Sequence, residues 1–129
     1  MNEETNNQKT ILLVEDDIYI AEIYQKQLEM MGFKAFTAGK AEEALTILGK
    51  NTVDLIILDL LLPGMSGLQL LQLLKQDDRY KTIPVVIVSN LEGQEVREEG
   101  LSLGAEKFIT KVTITPYDLV SVVKEVLAA

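Results

Sequence analysis

The sequence predicts one α/β domain in which five short strands alternate with five helices around a parallel sheet. Three observations predict it. Short apolar runs alternate with amphipathic stretches from Thr10 to the end of the chain. The run Leu55 to Leu58 is apolar at both alternating sets of positions, as a strand covered on both faces must be. Polar groups able to do chemistry stand at the ends of four of the runs, where an open parallel sheet binds its ligands.

The first strand, Ile11 to Val14, ends in Glu15, Asp16 and Asp17, the last of these a good N-cap for the next helix. That helix carries Ile20, Tyr24, Leu28 and Met31 along one side and stops at Gly32. Phe33 to Thr37 reads as a weaker strand whose internal lysine suits a sheet edge. Ala41, Ala44, Leu45 and Leu48 mark the second helix, which Gly49 is expected to close. The third strand runs into Asp59 and is broken off by Pro63 and Gly64. Ser66 and Gln69 then form a capping box for a helix carrying Leu68, Leu71 and Leu74.

Ile83 to Val88 is the fourth strand, with Pro84 near its start and Ser89 and Asn90 at its end. The fourth helix has only Val96, Leu101 and Leu103 as apolar contacts and contains Gly100, so it should be the least stable. Lys107 to Thr110 is the fifth strand and leads into Lys111. Thr115 and Pro116 cap and open the last helix, whose inner face is Leu119, Val123, Val126 and Leu127. These elements account for residues 10–129. Residues 1–9 fall outside the domain, and Met1 to Gln8 reads as a solvated tail.

Hydrophobic residues make up 47% of the 129, enough to fill one core. Twelve basic residues against 20 acidic ones give a net charge of -8, which argues against a phosphate-backbone surface for DNA or RNA. Cysteine and histidine are both absent, which excludes disulfides, thiolate or imidazole zinc sites, cysteine nucleophiles and histidine bases. No apolar stretch approaches the ~20 residues of a membrane span, and the acidic, amide-rich N-terminus is unlike a signal peptide. The expected location is the cytoplasm.

Asp59 is the focus. An ionised carboxylate at the end of a buried strand calls for a partner, a metal or a reaction. Glu15, Asp16, Asp59, Ser89 and Lys111 all stand at strand ends, and three carboxylates sharing one crevice repel unless a cation neutralises them. Magnesium, which prefers oxygen ligands, meets that need, and manganese is an admissible substitute. Asp16 and Asp59 are assigned as direct ligands, Glu15 as a ligand through water, and the Leu61 backbone carbonyl as a further donor.

In order and spacing, L-L-V-E-D-D, D-L-L-L-P-G-M-S-G, V-I-V-S-N and F-I-T-K resemble the receiver domain of two-component response regulators over nearly the whole chain. The resemblance implies a flavodoxin-like sheet of strand order 2-1-3-4-5. It also implies transfer of a phosphoryl group to Asp59 from a sensor histidine kinase, a histidine phosphotransfer protein or a small donor such as acetyl phosphate. Lys111 and Ser89 would hold phosphoryl oxygens. Ser89 and Phe108 would be the switch residues, with Phe108 turning inward and reshaping the face of the fourth helix, fifth strand and fifth helix for a downstream output partner. Phe108 read without the resemblance is a core or rim aromatic. Phosphorylation-dependent homodimerisation through the last helices follows from the resemblance alone.

Two residues depart from the family pattern. Val112 stands where most receivers have a proline joined to the lysine by a cis peptide. A cis bond without proline costs about 2.5–4 kcal/mol, so a trans Lys111-Val112 bond and a rearranged loop from Val112 to Ile114 are expected. Asn90 replaces a small residue and narrows the approach to the phosphoryl group. Leu61 and Leu91, at positions that tune loss of phosphate, cannot orient water, so slow autodephosphorylation is expected.

Two other readings compete. A magnesium-dependent aspartyl-phosphate phosphohydrolase of the haloacid dehalogenase type needs a second Asp where this chain has Leu61, and no G-x-x-x-x-G-K loop supports nucleotide hydrolysis. A receiver-shaped binding module that is never phosphorylated is opposed by the intact acidic, hydroxyl and lysine set. The domain is therefore expected to be a signalling device and not an enzyme acting on other substrates.

Overall fold

A computed structural model describes residues 8–129. The tail expected over 1–9 lies outside the described residues except for Gln8 and Lys9, and the Lys9 carbonyl already accepts the Lys34 N–H at 2.9 Å. In chain order the elements are β1 (Thr10–Val14), α1 (Ile18–Met30), β2 (Lys34–Ala38), α2 (Ala41–Lys50), β3 (Leu55–Leu58), α3 (Gly67–Lys75), β4 (Val85–Ser89), α4 (Gln94–Ser102), β5 (Lys107–Thr110) and α5 (Pro116–Ala128). The strands form one parallel sheet in the order β2-β1-β3-β4-β5, the flavodoxin-like order expected.

Strand alternation divides the core in two. Leu12, Val14, Ile56, Leu58, Val85 and Ile87 face α2, α3 and α4, where Ala44, Leu48, Leu70, Leu71 and Leu74 meet them. Ile11, Leu13, Leu55, Ile57, Val86 and Val88 face α1 and α5, where Tyr24, Leu28, Leu119, Val120 and Val123 meet them. Both faces of the central strands are thus covered, which is why their sequences are continuously apolar. Among the described residues no helix is long and apolar enough to cross a membrane.

The caps follow the sequence closely. Asp17 Oδ1 accepts the Tyr19 and Ile20 N–H groups, Thr115 Oγ1 accepts that of Asp118, and Ser66 and Gln69 satisfy each other's backbone in a capping box. Several boundaries move for local reasons. Phe33 is not in a strand, because its N–H bonds the Leu28 carbonyl and closes α1, leaving Met31 exposed at the helix end. The helix α2 continues through Gly49 to Lys50. The strand β4 starts at Val85, after a turn in which the Ile83 N–H bonds the Tyr80 carbonyl. The helix α4 has no side-chain cap, buries only Gly100 and leaves Leu101 exposed.

Candidate functional site

The strands β1 and β3 lie side by side and end level, with Val14 opposite Leu58. The next residues, Glu15 and Asp59, are still held in the sheet, their N–H groups bonding the carbonyls of Ala38 and Val14 at 2.8 and 3.0 Å. Because β2 flanks β1 on one side and β3 flanks it on the other, strand order reverses here and a crevice opens beyond the carboxyl ends. One ligand oxygen from each of Glu15, Asp16 and Asp59 falls within 4.8 Å of the others. Glu15 and Asp59 are buried, whereas Asp16 points to solvent.

Lys111, carried in by β5, bridges two of these acids. Its Nζ lies 2.7 Å from Glu15 Oε1 and 2.7 Å from Asp59 Oδ2. The remaining oxygens are also engaged: Asp59 Oδ1 accepts the Leu61 N–H at 3.1 Å, and Glu15 Oε2 accepts the Asp17 N–H at 3.0 Å. Burial pushes the Glu15 carboxyl above its usual range, and the Lys111 ammonium and the Asp17 N–H only partly offset this. Burial also works against the Lys111 charge, but its hydrogen bonds to Asp59 and Glu15 together hold the ammonium above its ordinary range. Three carboxylates facing one ammonium leave a double negative excess made wholly of hard oxygen donors, a set that fits a hard divalent ion.

Ser89 is fully buried at the end of β4, and its Oγ accepts the Leu91 N–H at 3.3 Å. Leu61 meets the site through its N–H, while its side chain is exposed. The Lys111-Val112 peptide is trans, and Lys111–Thr113 forms a single 3-10 turn. Phe108 does not lie outside waiting to turn in. Its ring is already buried, against Gly100 and beneath the Arg97 guanidinium, whose carbon sits 5.8 Å from the ring centre while Nη1 bonds the Phe108 carbonyl at 2.9 Å. The missing Cβ of Gly100 leaves room there, since a methyl would lie 3.3 Å from Phe108 Cδ2 and 2.7 Å from Ile87 Cδ1.

The sequence reading passed over Gly67. A Cβ at Gly67 would run into the Asp59 carbonyl oxygen and come within 2.6 Å of Leu60 Cα, so α3 starts directly against the backbone that carries Asp59. The Gly next to the capping Ser66 was the available signal. A cleft of about 510 Å³ beside the acids is lined by Glu15, Asp16, Glu22 and Glu43 with no basic residue, so the potential on that side of the site is negative.

The family model described as the response regulator receiver domain matches residues 11–124. The chain belongs to that family. This receiver domain is 36% identical to the phosphate regulon transcriptional regulatory protein PhoB of Pseudomonas aeruginosa over 92% of its own length and 52% of PhoB's. It is 33% identical to the regulatory protein VanR of Enterococcus faecium, over 88% and 48% of the two chains. The chain thus spans about half the length of these curated relatives. Among solved structures, a CheY-like receiver domain protein from Methanospirillum hungatei superposes with a TM-score of 0.87 at 29% identity, covering 95% of each chain. The Francisella response regulator 1452 receiver domain gives 0.85 at 28%, over 94% of this chain and 98% of the other. Membership makes the chain a signalling domain.

Proposed function

We propose that this receiver accepts a phosphoryl group on Asp59 and passes on the resulting change of shape as a signal. One observation carries the reading: Lys111 holds Glu15 and Asp59 together at 2.7 Å each, in a carboxylate set whose excess charge matches a dication. A carboxylate oxygen of Asp59 attacks phosphorus as the bond to the donor's imidazole nitrogen or acyl oxygen breaks, and the leaving group departs with the electron pair. Asp16, Asp59, the Leu61 carbonyl and, through water, Glu15 would hold Mg2+, which would supply charge neutralisation at the phosphoryl oxygens when bound. Lys111 turns from the free carboxylate to a phosphoryl oxygen. Ser89 releases the Leu91 N–H and donates its own hydroxyl hydrogen to another.

With Phe108 already inward, the movable part is the Ser89 loop together with α4, the helix with the smallest buried face. The donors proposed are a sensor histidine kinase or a histidine phosphotransfer protein in the cytoplasm, and the recipient of the signal is an output domain or protein at the face of α4, β5 and α5. Intact-mass measurement after incubation with acetyl phosphate and Mg2+ tests this. One added phosphoryl group is expected, and none in the Asp59→Asn variant. No addition to the native chain, or undiminished addition to the variant, refutes it.

A further inference from the structure

We infer that Asn90 and Val112 form a clip that ties the loop carrying Ser89 to the loop carrying Lys111. On the reading that Asp59 is the phosphoryl acceptor, this makes Asn90 a positioning residue for Lys111. Asn90 Oδ1 accepts the Val112 N–H at 3.1 Å. The β4–β5 pairing ends at Ser89 opposite Thr110, so Asn90 and Lys111 are the first residues past the ladder. The Asn90 side chain therefore continues the connection between the two strands beyond the point where the backbone stops making it.

The bond falls on one particular peptide. The Lys111 carbonyl and the Val112 N–H belong to the same rigid plane, which also contains the Lys111 Cα. Asn90 holds its N–H end, and the Ile114 N–H holds its carbonyl end at 3.3 Å. Thr113 Oγ1 donates to the Thr110 carbonyl at 2.8 Å and pins the turn from below. With the plane held at both ends, the origin of the Lys111 side chain is fixed, and Nζ reaches Glu15 and Asp59 from a set direction.

The two departures from the family pattern depend on each other. A proline at 112 has no N–H to give, and a small apolar residue at 90 has no oxygen to accept it. Where most receivers constrain this peptide covalently through proline, the present chain constrains it through Asn90. Because Asn90 directly follows Ser89, a shift of the Ser89 loop toward a phosphoryl group is transmitted through the clip to the Lys111 peptide. The two groups proposed to grip the phosphoryl oxygens then move as a pair.

Hydrogen exchange of the Val112 amide, measured by NMR on the metal-free chain, tests the clip itself. Because the bond is open to solvent, Asn90→Ala is expected to speed exchange about three- to tenfold, while Asn90→Asp, which keeps the acceptor, is expected to preserve protection. Unchanged exchange in Asn90→Ala overturns the clip. The role in transfer is tested by the rate constant for phosphorylation by acetyl phosphate with Mg2+ in the native chain, Asn90→Ala, Val112→Pro and the double variant, each first shown by circular dichroism to be folded. Loss of bulk at residue 90 acts in both backgrounds and cancels from the cycle. Asn90→Ala is expected to slow transfer about threefold more with Val112 present than in the Val112→Pro background. Equal effects overturn the positioning role. Should Val112→Pro not fold, the comparison of Asn90→Ala with Asn90→Asp decides when made at high ionic strength, where the added charge no longer repels acetyl phosphate: the clip makes Asn90→Asp the faster of the two, and equal rates overturn it. A native chain that takes up no phosphoryl group refutes the acceptor reading, and the amide exchange still decides whether the clip exists.

Discussion

Gly67 and Gly49 both lie in helices with ordinary backbone angles, and replacing each by alanine should move stability in opposite directions. At either site alanine reduces the freedom of the unfolded chain, a gain of about 0.4–1 kcal/mol. At Gly49 the new methyl meets nothing within 4 Å, so that gain stands. At Gly67 it meets backbone, the Asp59 carbonyl oxygen and, at 2.6 Å, Leu60 Cα, and backbone cannot swing aside as a side-chain end can. Forcing a methyl into such a space costs about 1–3 kcal/mol, and the rigid obstacle puts Gly67 in the upper part of that range, at about 2–3 kcal/mol, leaving a net loss of about 1–2.5 kcal/mol. For a domain of this size 1 kcal/mol is worth roughly 3–5 °C in Tm. Thermal unfolding followed by circular dichroism should therefore show Gly67→Ala melting roughly 3–12 °C below the native chain and Gly49→Ala roughly 1–5 °C above it. Because the displaced backbone is that of Asp59, Gly67→Ala should also slow phosphoryl uptake, whereas Gly49→Ala should not. A Gly67→Ala chain as stable as the native one would refute the close approach of α3 to Asp59.

Lys111→Met removes the cation between two buried carboxylates, with an expected loss of about 2–3 kcal/mol without metal. Mg2+ should bind the variant more tightly and raise its Tm by more than it raises that of the native chain, and equal increments in a thermal-shift titration would contradict this charge account. Leu61→Asn places a group able to orient water beside Asp59, and the phosphorylated form should decay about threefold faster or more by intact mass. Lys75 Nζ donates to the carbonyls of Lys81 and Ile83 at 3.1 and 2.8 Å, so Lys75→Met should cost about 1–2 kcal/mol in urea unfolding. Burial holds the Lys75 ammonium below its ordinary range. Between that lowered value and the unfolded one the unfolded chain binds more protons, so the native chain should gain stability over the variant as pH rises through that window.

Much of the site could be read from residue order because a parallel sheet converts order into position. Once Ile11–Val14, Leu55–Leu58 and Lys107–Thr110 are strands running the same way, Glu15, Asp59 and Lys111 must emerge at the same edge. What could not be read were contacts set by the shape of neighbouring elements. Gly67 looked like part of a cap, yet its use lies in the backbone beneath it. Phe108 stood where a mobile aromatic was expected, yet Gly100, eight residues earlier, leaves a slot that holds it in, and Arg97 covers it. Phe33 was apolar enough for a strand, but its N–H was already committed to ending α1.

By itself the sequence determined the strand and helix alternation, the capped starts of α1, α3 and α5, and the acidic, hydroxyl and amine groups that share one edge, because hydrophobic period and capping chemistry are local. Tertiary structure alone decided how those groups pair. That Lys111 bridges Glu15 and Asp59, that Glu15 is the acid whose carboxyl burial raises, and that Asn90 takes up the N–H a proline would lack all depend on distances between strands far apart in the chain. Side-chain hydrogen bonds and desolvation act over a few ångströms, and residue order does not encode those distances.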